Sequence, residues 1–181
     1  PFDANRPMPQ AMSLDDIEQI KRDFTDAARR ADQAGFDAVE IHAAHGYLLQ
    51  QFFSPLSNHR DDGYGGSLAN RMRLALEIFD VVREAFPNDK PVGMRISATD
   101  WVEGGWDLGD SIALAHALED RHCDFVHVSS GGLSPDQEIP LGPGYQVDLC
   151  AAITDASEIA TIAVGMIDDA YQAETIVRSG Q

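Results

Sequence analysis

The feature that most constrains this chain is a phrase that recurs along it: an amphipathic helix, a short break, then a brief apolar run. The first helix is predicted from Leu14 to Ala34, with Ile17, Ile20, Phe24, Ala27, Ala28 and Ala31 forming one stripe. Ser13 fits its N-cap and Asp16 the carboxylate of a capping box. Gly35 ends it, and Phe36 to Ile41 reads as a strand. Arg71 to Phe86 is helical by pattern, broken at Pro87, and followed by the strand Pro91 to Ser97. Leu108 to Arg121 leads to Phe125 to Ser130, and Val147 to Asp155 leads to Ile159 to Val164. A last helix spans Ala170 to Ser179. Short apolar strands alternating with helices read as buried on both faces, which calls for a parallel α/β sheet with helical crossovers.

Two architectures satisfy that alternation. One is a complete, open, flavodoxin-like sheet, which lacks here the glycine-rich phosphate loop after its first strand. The other is part of a closed (β/α)8 TIM barrel. A barrel takes about 250 residues, so four strands in 181 residues amount to roughly half of one.

Composition narrows the partners. A formal net charge of -17 leaves little basic surface for nucleic acid or an anionic membrane. No apolar run approaches the roughly 20 residues of a membrane span, and no signal-peptide pattern opens the chain. Cys123 and Cys150 have no metal-ligand or redox spacing, so a reduced, cytoplasmic protein is expected. Pro1 to Pro9 reads as a loop without an initiator methionine, and Arg178 to Gln181 stops just after a glycine cap. The chain is therefore expected to be an internal fragment.

Polar residues gather where the strands end, which is where parallel α/β folds carry their chemistry. The first strand gives His42, His45 and Tyr47, and the second gives Arg95, Ser97, Thr99 and Asp100. The third gives Ser129, Ser130, Gly131 and Gly132, and the fourth gives Gly165 and Met166. The two imidazoles admit three readings. A metal pair would need further ligands, and His127 lies inside a strand while His59 lies in a loop. Each is otherwise a satisfied core histidine, or both donate N–H bonds to a substrate oxygen while Tyr47 delivers a proton.

Arg95 interrupts an apolar strand, and an unpaired guanidinium there costs several kcal/mol. It must meet Glu40, Asp100 or an anionic ligand, such as a cofactor that becomes negative on reduction. Gly165-Met166 ahead of a helix start fits a phosphate cradle. The loop from Asn58 to Ser67 is long, and its role stays open.

Several segments together resemble the old yellow enzyme family of FMN-dependent oxidoreductases. They are His42-Ala43-Ala44-His45-Gly46-Tyr47-Leu48-Leu49, Phe53 to Arg60, Tyr64-Gly65-Gly66-Ser67 with Asn70-Arg71, and Val92 to Ser97. The His-Ala-Ala-His form and Asp100 to Trp106 are most similar to its xenobiotic-reductase and thermophilic-like ene-reductase branch. The match runs from about Pro7 to the end.

The resemblance implies a (β/α)8 barrel of which residues 1–181 form a single incomplete domain, about strands 4 to 7, without strands 1 to 3 and strand 8. It implies FMN as cofactor, with NADPH or NADH as reductant. Hydride would pass through the flavin to the β-carbon of an activated alkene. By carry-over, His42 and His45 hold the carbonyl or nitro oxygen of a small-molecule substrate, and Tyr47 protonates its α-carbon. Arg95 lies beside the flavin and stabilises its reduced anion, Gly165 and Met166 belong to the phosphate side, and Tyr145 sits at the pocket edge. No metal is implied, and the full-length protein is expected to be a homo-oligomer. Two rivals remain: the dienoyl-CoA reductase and amine-dehydrogenase branch with an iron–sulfur cluster, and a non-catalytic half-barrel that serves assembly.

Overall fold

The computed structural model describes residues 8–181. The segment read as an opening loop, Pro1 to Pro9, lies outside this range but for Met8 and Pro9, as does the start of the family match at Pro7. Six helices and four strands follow: α1 Leu14–Gln33, β1 Val39–Ala43, α2 Leu48–Phe53, α3 Leu68–Ala85, β2 Val92–Ser97, α4 Leu108–Glu119, β3 Phe125–Ser129, α5 Val147–Ala156, β4 Ala160–Ala163 and α6 Ala170–Ser179.

The caps explain several boundaries. Ser13 Oγ accepts from the Asp16 amide at 3.1 Å while Asp16 Oδ2 accepts from the Ser13 amide at 2.8 Å, the reciprocal capping box expected at the head of α1. At its foot the Phe36 amide reaches back to Ala31 and that of Gly35 to Asp32, a glycine-terminated turn. This turn consumes residues the apolar pattern assigned to a strand. Phe36 is 60% exposed, and β1 starts three residues later than its hydrophobicity implies.

The four strands are all parallel and lie in the order β1-β2-β3-β4. That order decides between the two architectures. In a doubly wound sheet the strand order reverses, so that helices cover both faces. Here every crossover steps in the same direction, and right-handed crossovers then put the helices on one side. The sheet is an arc of a barrel.

Burial agrees, and it corrects the expectation that each strand is covered on both faces. Ile41, Ala43, Met94, Ile96, Val126 and Val128 are buried with Leu74, Ile78, Phe79, Leu114, Leu118 and Ile153 from the helices. The other face carries Glu40, His42, Arg95, His127, Ala160 and Ile162, none of them fully buried. The inner, barrel-facing side of the arc is thus open among the described residues, and it is the polar side.

Candidate functional site

Parallel register builds the site. His42 lies opposite Arg95, Arg95 opposite His127, and His127 opposite Ile162, so three polar side chains form one row across β1, β2 and β3. His42 is therefore within its strand, one residue deeper than the apolar run indicated. Just beyond Ala43 the chain turns sharply: His45 and Gly46 both take positive φ, 58° and 74°, before α2 begins. The turn folds the cluster together, with ring centroids of His42 and His45 5.2 Å apart and those of His42 and Tyr47 5.1 Å apart. Tyr47 is 60% exposed and borders a cleft of about 790 Å³ shared with His45, Leu56, His59 and Leu133.

The turn is held from two sides. The His45 amide donates to Ser97 Oγ at 3.0 Å, and Ser97 donates to the Gly131 carbonyl at 2.8 Å. Gly46 packs directly on Gly132, where a Cβ would come within 2.5 Å of the His45 Cα. Only glycine allows two backbones to approach so closely. On the other side the Gly46 amide donates to Gln50 Oε1 at 2.6 Å, and Gln50 donates to Asp100 at 2.6 Å. Asp100 is fully buried and also accepts from Ser54 Oγ at 2.5 Å and the Trp106 amide at 2.8 Å. The sequence placed Asp100 as a partner for Arg95; its oxygens are taken up by this network instead.

Glu40, the other candidate partner, bonds His127 Nδ1 at 3.0 Å. Among the described residues Arg95 has no ion pair, and its buried Nε finds no acceptor. An unmatched guanidinium on the open inner face calls for an anion from elsewhere. Its charge also acts on its neighbours. Burial first, then Arg95, pushes the His42 imidazole below its ordinary value. For His45 burial, Arg95, His42 and His127 combine to bring it down to about 4. Both shifts favour the neutral imidazole at pH 7.

At the end of β4, Gly165 and Met166 take positive φ, 122° and 52°, and their amides meet no backbone acceptor among the described residues. The φ of 122° favours glycine at Gly165, and a Cβ there would also crowd the Gln146 side chain and the Tyr145 ring. The helix that follows starts at Ala170, where the sequence placed it, so it does not open directly on Gly165-Met166, and its N-cap Asp169 accepts from the Gln172 amide at 2.9 Å. A carboxylate already occupies that helix terminus. The two free amides, not the helix, are what this corner offers a phosphate.

The long loop is structural. Asn58 Nδ2 donates to the Phe52 and Tyr64 carbonyls at 2.6 and 2.8 Å, and Arg71 Nε donates to the Phe53 carbonyl at 2.7 Å. No group of three or more His, Cys, Asp or Glu side chains gathers to hold a metal among the described residues. Nor is any helix there long and apolar enough to cross a membrane.

An anionic cofactor fits these residues: an unmatched cation on the inner face, two free amides beyond the end of β4, and neutral imidazoles after β1. Comparisons point the same way. Residues 2–181 match the NADH:flavin oxidoreductase / NADH oxidase family. An NADPH dehydrogenase of Clostridium acetobutylicum is 45% identical over 99% of this chain and 53% of its own length. The chain thus spans about half the length of this curated relative. Among solved structures, a 2-naphthoyl-CoA reductase superposes with a TM-score of 0.87 at 30% identity, covering 94% of this chain and 27% of that one. Morphinone reductase gives 0.77 at 31% identity, covering 96% of this chain and 45% of that one. With its barrel arc and its motifs in order, the chain belongs to the NADH:flavin oxidoreductase / NADH oxidase family, an FMN- and NAD(P)H-using family that includes the old yellow enzymes.

Proposed function

We propose that this chain is the substrate-binding wall, and part of the flavin cradle, of an NAD(P)H-driven ene-reductase acting on small alkenes activated by a carbonyl or nitro group. The observation that carries this reading is Arg95, a cation with no partner among the described residues, in register with His42 on the open face of the sheet. FMN bound there supplies the hydride relay between the reduced nicotinamide and the β-carbon of the alkene.

The chain's own residues do the rest. Arg95 provides a fixed positive charge that favours the reduced, negative cofactor over the oxidised one. The Gly165 and Met166 amides face its phosphate side. Neutral His42 and His45 donate N–H bonds to the substrate oxygen, and these bonds strengthen as negative charge develops on it. Tyr47, at the cleft, donates its phenolic proton to the α-carbon. Residues 1–181 form one incomplete barrel domain, and the remaining strands come from the rest of a cytoplasmic, homo-oligomeric protein.

The test is transient kinetics on the full-length, flavin-loaded protein. Tyr47→Phe and His42→Ala leave flavin reduction by NADPH within about twofold, while the oxidative half-reaction with an enone slows by roughly 10²-fold. An unchanged oxidative half-reaction removes these roles. A second reading, the dienoyl-CoA reductase-like or amine-dehydrogenase-like branch with an iron–sulfur cluster, is favoured by the higher TM-score of the naphthoyl-CoA reductase. Against it, the chain is 45% identical to the NADPH dehydrogenase but 30% identical to the naphthoyl-CoA reductase. Iron content of the full-length protein separates the two.

A further inference from the structure

The mechanism above asks His45 to present an N–H to substrate, and a neutral imidazole has only one. Which nitrogen carries it is set by the partner of the other. In this structure His45 Nε2 lies 2.7 Å from Ser129 Oγ, a contact between the turn after β1 and the last residue of β3. Nδ1 has no hydrogen-bond partner among the described residues, yet it is not one of the atoms sealed away from solvent.

The proton of Ser129 decides the matter. Its hydroxyl is buried and has two acceptors in reach: His45 Nε2 at 2.7 Å and Gln146 Oε1 at 3.4 Å. The second distance lies outside the range of an O–H···O bond. That oxygen already accepts the much shorter bond from Ser130 Oγ at 2.5 Å, while Gln146 Nε2 donates to the Val164 carbonyl at 3.1 Å. If Ser129 instead accepted from an Nε2–H, its own buried proton would be left with only the long contact to Gln146 Oε1. Donation from Ser129 to Nε2 satisfies the buried hydroxyl and leaves only the Nδ1–H, which is not sealed from solvent, without a partner among the described residues.

We infer that Ser129 is a positioning residue that fixes His45 as its Nδ1–H tautomer and so aims the single N–H of that ring at the substrate oxygen. Gln146 supports it from below by engaging Ser130 and anchoring to the β4 end. The inference rests on the role proposed for His45, but its first readout does not depend on turnover.

The experiment is ¹⁵N NMR of histidine-labelled, flavin-loaded full-length protein at pH 7. The expected spectrum has a pyrrole-type Nδ1 and a pyridine-type Nε2 for His45. Ser129→Ala shifts population to the Nε2–H form and lowers the oxidative rate about tenfold, the size of one ordinary hydrogen bond. Ser129→Cys, nearly isosteric with a weaker donor, falls between. A wild-type His45 protonated on Nε2, or a tautomer unmoved by both substitutions, overturns the inference. An Nδ1–H form that depends on Ser129 supports it. If His45→Ala then leaves oxidative turnover unchanged, the catalytic reading falls while the tautomer assignment stands.

Discussion

His45 sits under influences that all oppose its protonation: partial burial, the Arg95 charge and two neighbouring imidazoles. With a folded-state value of about 4 against about 6.5 unfolded, the unfolded chain binds the extra proton between those limits. Stability from keeping this ring neutral is complete above about pH 6.5 and is lost as pH falls toward 4. Urea midpoints should therefore drop between pH 7 and pH 5, and His45→Gln should flatten that slope; a slope unchanged by the substitution contradicts the assignment. Arg95 gives a second residue-scale prediction. Without ligand it is an unmatched cation, so Arg95→Met should leave the flavin-free protein at least as stable, by up to about 1 kcal/mol. The same substitution should weaken FMN binding at least tenfold, as read by flavin fluorescence. Arg95 was legible in the sequence because it interrupts an apolar run, and His42 because it follows directly on the end of one. The Ser129–His45 bond was not, since the two lie 84 residues apart and meet only through the strand register.

At the scale of elements, the site is a turn clamped between two loops. Gly46 against Gly132 is one clamp, and the buried Asp100 network is the other. Gly46→Ala places a methyl on the Gly132 carbonyl at a φ of 74°. It should cost about 2 kcal/mol or more in chemical denaturation. Asp100→Ala strands the Gln50 amide and the Trp106 N–H in the interior and should cost about 3 kcal/mol. A loss below about 1 kcal/mol would show the network to be slack. Helix–strand alternation was readable because the long helices α1 and α3 carry apolar stripes. The six-residue α2 was not, being too short for its period to show. The start of β1 was misplaced because Phe36 is apolar yet belongs to the glycine turn. Asp100 was recognised as polar at a strand end, but its partners Gln50 and Ser54 lie on and beside the unseen helix.

For the molecule as a whole, sequential strand order, one covered face and one open polar face describe an arc of a barrel. The outer strands β1 and β4 each leave a free edge among the described residues, and Ile162 on the inner face is 42% exposed. Residues 1–181 expressed alone should self-associate in sedimentation and lose FMN on gel filtration; a monomer retaining stoichiometric FMN contradicts the incomplete-domain reading. The most direct test of the central claim, that the open face holds FMN against Arg95, is the two-electron midpoint potential of the full-length protein. Arg95→Met should make it more negative by roughly 30–60 mV, the loss of one nearby positive charge from the reduced state. A potential unchanged by that substitution would mean that Arg95 does not face the flavin.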